Sequence, residues 1–227
     1  MDNESVWPEM AAKPEFGWLA EAKRYLLAGE VLRQSDEYES GKLLVTPTLH
    51  VAAHGIELFL KAALIRNGAT EIEARKFGHD ILALWNDGRN LNTRADILTA
   101  AAEEWEAAKQ NPHWKDDFGA FEKAPLEEYV QRLSELHTRE TDYALRYTAG
   151  RTSTTAGPKP HLLSATFYRI CDRYLREMTH TSRSRGFATT PLTPPVASAI
   201  PAHAGGPAAV RSGSTSRSGT ARRPSGR

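Results

Sequence analysis

A single cysteine, Cys171, stands among 227 residues, so no internal disulfide framework is open to the chain, and a reducing, cytoplasmic compartment is expected. The opening stretch, MDNESVWPEM, has no apolar run and thus no secretory signal pattern. Long uninterrupted hydrophobic runs are also missing. The most apolar stretch, residues 46–68, is broken by His50, His54, Glu57 and Lys61, which makes it a poor bilayer span. No membrane association is expected.

Acidic residues are absent from position 180 onward, where seven arginines stand among Ser, Thr, Pro, Gly and Ala. The net charge of +1 therefore hides 22 basic against 28 acidic residues over positions 1–179. A segment with so few large apolar groups cannot offset the entropy of ordering its backbone, so residues 180–227 are expected to be a disordered tail. Its arginines suit a nucleic-acid arm, since they neutralise phosphate without needing a fold; a dispensable extension is the other reading. Residues 1–14 are expected to be a flexible N-terminus.

Alternating strand patterns and internal repeats are missing as well. What remains over residues 15–179 is helical periodicity, which predicts an all-α bundle of about five to six helices. The first segment, WLAEAKRYLLAGEVLRQ, places Trp18, Ala22, Tyr25, Gly29 and Leu32 on one face. In the next, Thr46 is expected to cap, Pro47 to occupy the first turn, and Asn67-Gly68 to end the helix. A short turn follows in TEIEARKF, and Asp80 is placed to cap DILALWND. Asn92 or Thr93 is expected to cap RADILTAAAEEWEAAKQ. Two apolar stripes complete the set: Leu126, Tyr129, Val130, Leu133 and Leu136, then Leu163, Phe167, Ile170 and Tyr174.

The polar residues of 46–68 are the main candidates for function. At 100° per residue His50, His54, Glu57 and Lys61 fall within an arc of about 60° on a helix otherwise apolar nearly all round. Three readings fit: a solvent-facing seam with Glu57 and Lys61 as an i,i+4 pair, a metal site on His50, His54 and Glu57, or a binding or catalytic cleft. Lys61 beside the cation and the lack of a second Glu-x-x-His weigh against metal, so neither metal nor cofactor is expected.

The string HGIELFLKAALIRNG, followed by GHDI, resembles bacterial HEPN-like proteins, in which H-x-x-E-L-x-L-K-A precedes a G-H-D-[IL] turn. The matching positions are His54, Glu57, Leu58, Leu60, Lys61 and Ala62, then Gly78, His79, Asp80 and Ile81. Arg146-Tyr147 is similar to an arginine–tyrosine pair of some members, with Thr148 where proline is common. The resemblance covers roughly residues 15–178. It implies a HEPN-like bundle that associates with RNA or a nucleotide in bacterial stress or defence, as a homodimer or with a partner protein. A metal-independent endoribonuclease and a non-catalytic toxin–antitoxin partner are the alternatives.

Ribonucleases of that family carry Arg-x(4–6)-His, where histidine moves the 2′-hydroxyl proton and arginine stabilises the phosphorane. Arg132 to His137 and Arg173 to His180 have such spacings, yet roughly two random matches are expected in a chain of this composition. Leu133 and Tyr174 stand where the family prefers a polar residue after the arginine. Enzymatic activity is thus left open, with Arg132 and His137 as the catalytic candidates. His54, Glu57, Lys61, His79, Asp80 and Arg146 are expected to form a binding or polar cluster, which as a structural network would fix helix register.

Overall fold

A computed structural model describes residues 12–41, 43–110, 122–137, 145 and 158–186. Eight α-helices occur among them: α1 (Pro14–Arg33), α2 (Asp36–Gly41), α3 (Val45–Arg66), α4 (Glu71–Lys76), α5 (Ile81–Asn86), α6 (Leu91–Gln110), α7 (Leu126–His137) and α8 (Pro160–Gly186). Five of these have twelve or more residues, the others are short connectors, and no strand occurs among the described residues. The chain is an all-α bundle. Arg146 and residues 187–227, which include most of the expected tail, lie outside the described residues. The last helix runs through His180 to Gly186, past the boundary expected at 179.

The central element is α3. Leu49, Ile56, Phe59, Leu60 and Leu64 are buried around it, as a helix apolar on nearly all sides requires. By length and composition it is the one described helix able to cross a membrane, yet 72% of its most apolar window is buried inside the structure. It starts at Val45 after Leu44, one residue before the expected cap, so Thr46 lies inside the helix. Pro47 is still tolerated because the first turn of a helix has no intrahelical acceptor for its N–H groups. The helix ends at Asn67, and Gly68 follows with φ +98°.

Small residues let neighbouring helices approach. A Cβ on Gly55 of α3 would stand 2.8 Å from Leu26 Cγ and 3.1 Å from the Leu26 backbone nitrogen. The α1–α3 pair is therefore set by backbone proximity, and α8 then packs on α1, α6 and α3.

The buried face of α1 is turned from the expected one. Leu19 and Leu26 join Ala22 and Gly29 inside, while Trp18, Tyr25 and Leu32 are only half-buried. The aromatic residues occupy the rim because their polar or quadrupolar edges find partners there: Trp18 Nε1 donates to Glu71 Oε1 at 2.8 Å, and Tyr25 meets the His54 ring.

Local hydrogen bonds fix the short connectors. Thr70 and Glu73 form a reciprocal capping box on α4, and Asp80 accepts from Ala83 N at the start of α5, as expected of it. Before α6 a 3-10 turn, Gly88–Asn90, is capped by Asp87, so the helix begins at Leu91 without the expected Asn92 or Thr93 cap. Thr93 is buried instead, and its Oγ1 lies 3.4 Å from the Tyr174 hydroxyl of α8. The stripes of α7 and α8 lie inward as expected, with Leu136 only partly buried.

Candidate functional site

Glu57 lies at the middle of α3 with only 2% of its surface exposed. A bare carboxylate there would be strongly disfavoured, so its partners decide its state. Lys61, one turn on, donates from Nζ to Glu57 Oε1 at 2.7 Å and to the Gly78 carbonyl at 2.6 Å. Gly78 has φ +57°, a conformation that suits glycine, and it turns the chain so that His79 faces α3. His79 Nδ1 stands 2.9 Å from Glu57 Oε2. The same oxygen meets Nε2 of His137, the last residue of α7, at 3.2 Å. An ionised carboxylate only accepts, so both imidazoles present N–H to it.

The two histidines differ sharply in access. The His137 side chain is 1% exposed and that of His79 is 41% exposed. Their rings meet edge to face with centroids 5.5 Å apart, and the His50 ring lies 6.4 Å from that of His137. Trp18 covers the Lys61 ammonium at 5.8 Å from its ring centroid.

Burial pushes the Glu57 carboxyl up. Hydrogen bonds from His137, Lys61 and His79, with the Lys61 charge, outweigh it and hold the pKa at about 2 against an ordinary 4.5. A depressed carboxyl stabilises the fold above its unfolded value, and that stabilisation fades as pH falls from about 4.5 toward about 2. In chelator-treated protein, the stability advantage of wild type over Glu57→Gln should therefore be full near neutrality and shrink below about pH 4.5. Urea denaturation of both proteins across that range measures it, and a difference that stays constant to about pH 3 would refute the assignment.

The structure thus brings Glu57, Lys61 and His79 together as expected, and adds His137. Asp80 is absorbed in the α5 cap and is exposed. His54 stands edge-on to Tyr25 of α1, with ring centroids 4.4 Å apart. Arg146 falls outside the described residues. The catalytic candidates Arg132 and His137 do not face one another within the chain: five residues apart on α7, they point some 140° apart. Arg132 turns outward to Glu128 at 2.5 Å, while His137 turns inward to Glu57. Arg173 likewise pairs with Asp96 at 2.8 Å. The inward position of His137 had a sequence signal, because Leu126, Val130, Leu133 and His137 fall on one helical stripe.

The chain matches no protein-family model, no curated protein and no solved structure. Function must therefore be argued from the residues. A separate open groove of about 540 Å³ runs along α1, α6 and α8, and none of the Glu57 cluster lines it. Its arginines are already matched: Arg33 with Glu30, Arg169 with Glu103 and Glu104, Arg173 with Asp96, and Arg176 with Asp172. Chemistry concentrates instead at Glu57, where a buried anion orients one inaccessible and one half-exposed imidazole.

Proposed function

We propose that this chain is a HEPN-like module that associates with RNA or a nucleotide, with His79 as its contact to phosphate. The observation that carries this reading is the exposure of His79 beside the buried Glu57 carboxylate, 41% against 3% by side chain. A network that served only to lock α3 to α7 would be complete with Glu57, Lys61 and His137. The fourth member is a ring held at its inner nitrogen and presented at the surface, as a group that hydrogen-bonds a phosphate oxygen must be. The H-x-x-E and G-H-D segments that carry the family resemblance supply Glu57, Lys61 and His79.

A labelled single-stranded RNA, titrated with chelator-treated protein, tests the reading. Wild type should bind with strong salt dependence, and His79→Ala should weaken binding about tenfold while the protein stays folded, with only a modest drop in melting temperature from the lost Glu57 hydrogen bond. Equal binding by both proteins, or none by wild type, would sink it. Cleavage of the RNA would make the chain an endoribonuclease with a divergent site, in place of the Arg132–His137 arrangement. The partner-protein alternative draws on Leu27 and Val31, which are 45% and 63% exposed one turn apart on α1. It predicts a stable dimer or hetero-complex without RNA binding.

A further inference from the structure

We propose that Glu57 Oε2, His79 Nδ1 and His137 Nε2 form a three-ligand site for a divalent first-row transition-metal ion of the zinc type. The inference is independent of the RNA reading. The three atoms come from α3, the turn before α5, and the end of α7, and they all lie within 4.8 Å of one another. Two imidazole nitrogens and one carboxylate oxygen are a donor set that favours such ions over magnesium or calcium, which take oxygen ligands.

The spacing suits the ion. Ligands about 2.0–2.1 Å from a tetrahedral zinc stand roughly 3.3 Å from one another. Here the two nitrogen–oxygen separations are 2.9 and 3.2 Å. Both are slightly shorter than that and would open by a few tenths of an ångström around an ion, while all three ligand atoms already lie within 4.8 Å of one another. His79 is the half-exposed ligand of the three. The buried His137 and Glu57 provide a fixed floor, and the ion enters from the His79 side. Metal binding replaces two N–H···O hydrogen bonds with two nitrogen–metal bonds and one bond from Glu57 Oε2, and the hydrated ion releases the waters that these three ligands displace. The imidazole proton at each ligating nitrogen must leave that atom, to the other ring nitrogen or to solvent, before the metal bond forms.

Lys61 is the apparent obstacle from sequence, since it places a positive charge beside the cation. The structure puts its ammonium on Oε1, the carboxylate oxygen that the ion does not use, with a second bond to the Gly78 carbonyl. A carboxylate that binds metal through one oxygen while its other oxygen accepts a hydrogen bond is the usual outer-shell arrangement, because the second bond fixes the ligand's orientation. Lys61 also anchors the turn that carries His79. The sequence placed the metal question on His50 and His54; the fold moves it to the histidines that face Glu57.

The test is titration of chelator-treated full-length protein with Zn²⁺ by calorimetry, without RNA. The expected result is about one ion per chain at micromolar affinity or tighter, and at least a tenfold loss in His79→Ala. His79 is half-exposed, so this variant should remain folded, and its circular dichroism and melting temperature are checked alongside. His180→Ala, exposed on α8, should bind as wild type does. Co²⁺ substitution should give visible absorption bands of a low-coordinate nitrogen- and oxygen-ligated ion in wild type, lost in His79→Ala. No binding tighter than about 100 μM, or equal binding by wild type and His79→Ala, overturns the site. RNA binding is measured separately in chelator, so failure of either result leaves the other standing.

Discussion

Glu57→Leu should lower the stability of the bundle by about 3–5 kcal/mol, because it leaves the Lys61 ammonium buried without its counter-ion. Lys61 is 5% exposed and Glu57 2% exposed, so neither can turn to water without opening the helix packing. Lys61→Met should cost less, about 1–3 kcal/mol, since Glu57 keeps the two histidine donors. In the double variant the stranded charge is gone. Its loss should fall short of the sum of the single losses by about 1–3 kcal/mol, as expected for groups in direct contact. Chemical denaturation of the three variants at neutral pH provides the cycle. Additive losses would mean that the 2.7 Å contact contributes nothing, and the cluster would then be a set of independent wet residues.

The same pair shows what the sequence could and could not convey. The i,i+4 spacing of Glu57 and Lys61 on an apolar helix was sufficient to pair them. Whether they met water was not legible, since it depends on the Gly78-His79 turn and the end of α7 covering that side of α3. His137 illustrates the limit most directly. Its spacing from Arg132 was no more than chance would give, helical geometry sends the two to different faces, and its Glu57 partner lies eighty residues away. Stripes with several large apolar groups, such as Leu163, Phe167, Ile170 and Tyr174, specified their buried face well. The stripe of α1 did not, because leucines and aromatics surround that helix on more than one side. There the choice fell to tertiary contacts at Gly29 and Gly55. Helix starts were misplaced where a 3-10 turn or a backbone start replaced a side-chain cap.

Phe59→Ala should be comparably damaging, with a loss of about 3–5 kcal/mol. Phe59 is two residues from Glu57 on α3 and therefore turns to the opposite side, where it is fully buried. Its ring stands edge-on to Phe167 at 6.0 Å and tilted against Tyr174 at 5.6 Å, both on α8. Trp85 of α5 meets Phe167 in turn, with ring centroids 6.3 Å apart. Truncation thus removes one member of an aromatic group that joins three helices, and it forfeits edge-to-face attraction as well as buried area. Collapse around the cavity is resisted because Tyr174 is held by its hydroxyl to Asp96 at 3.0 Å. Phe59→Leu fills more of the space and should lose about 1–2 kcal/mol. For a domain of this size the alanine variant should melt roughly 6–20 °C lower, with the leucine variant between it and wild type. A loss below about 1 kcal/mol in Phe59→Ala would show that α3 and α8 do not share the packed interface described here.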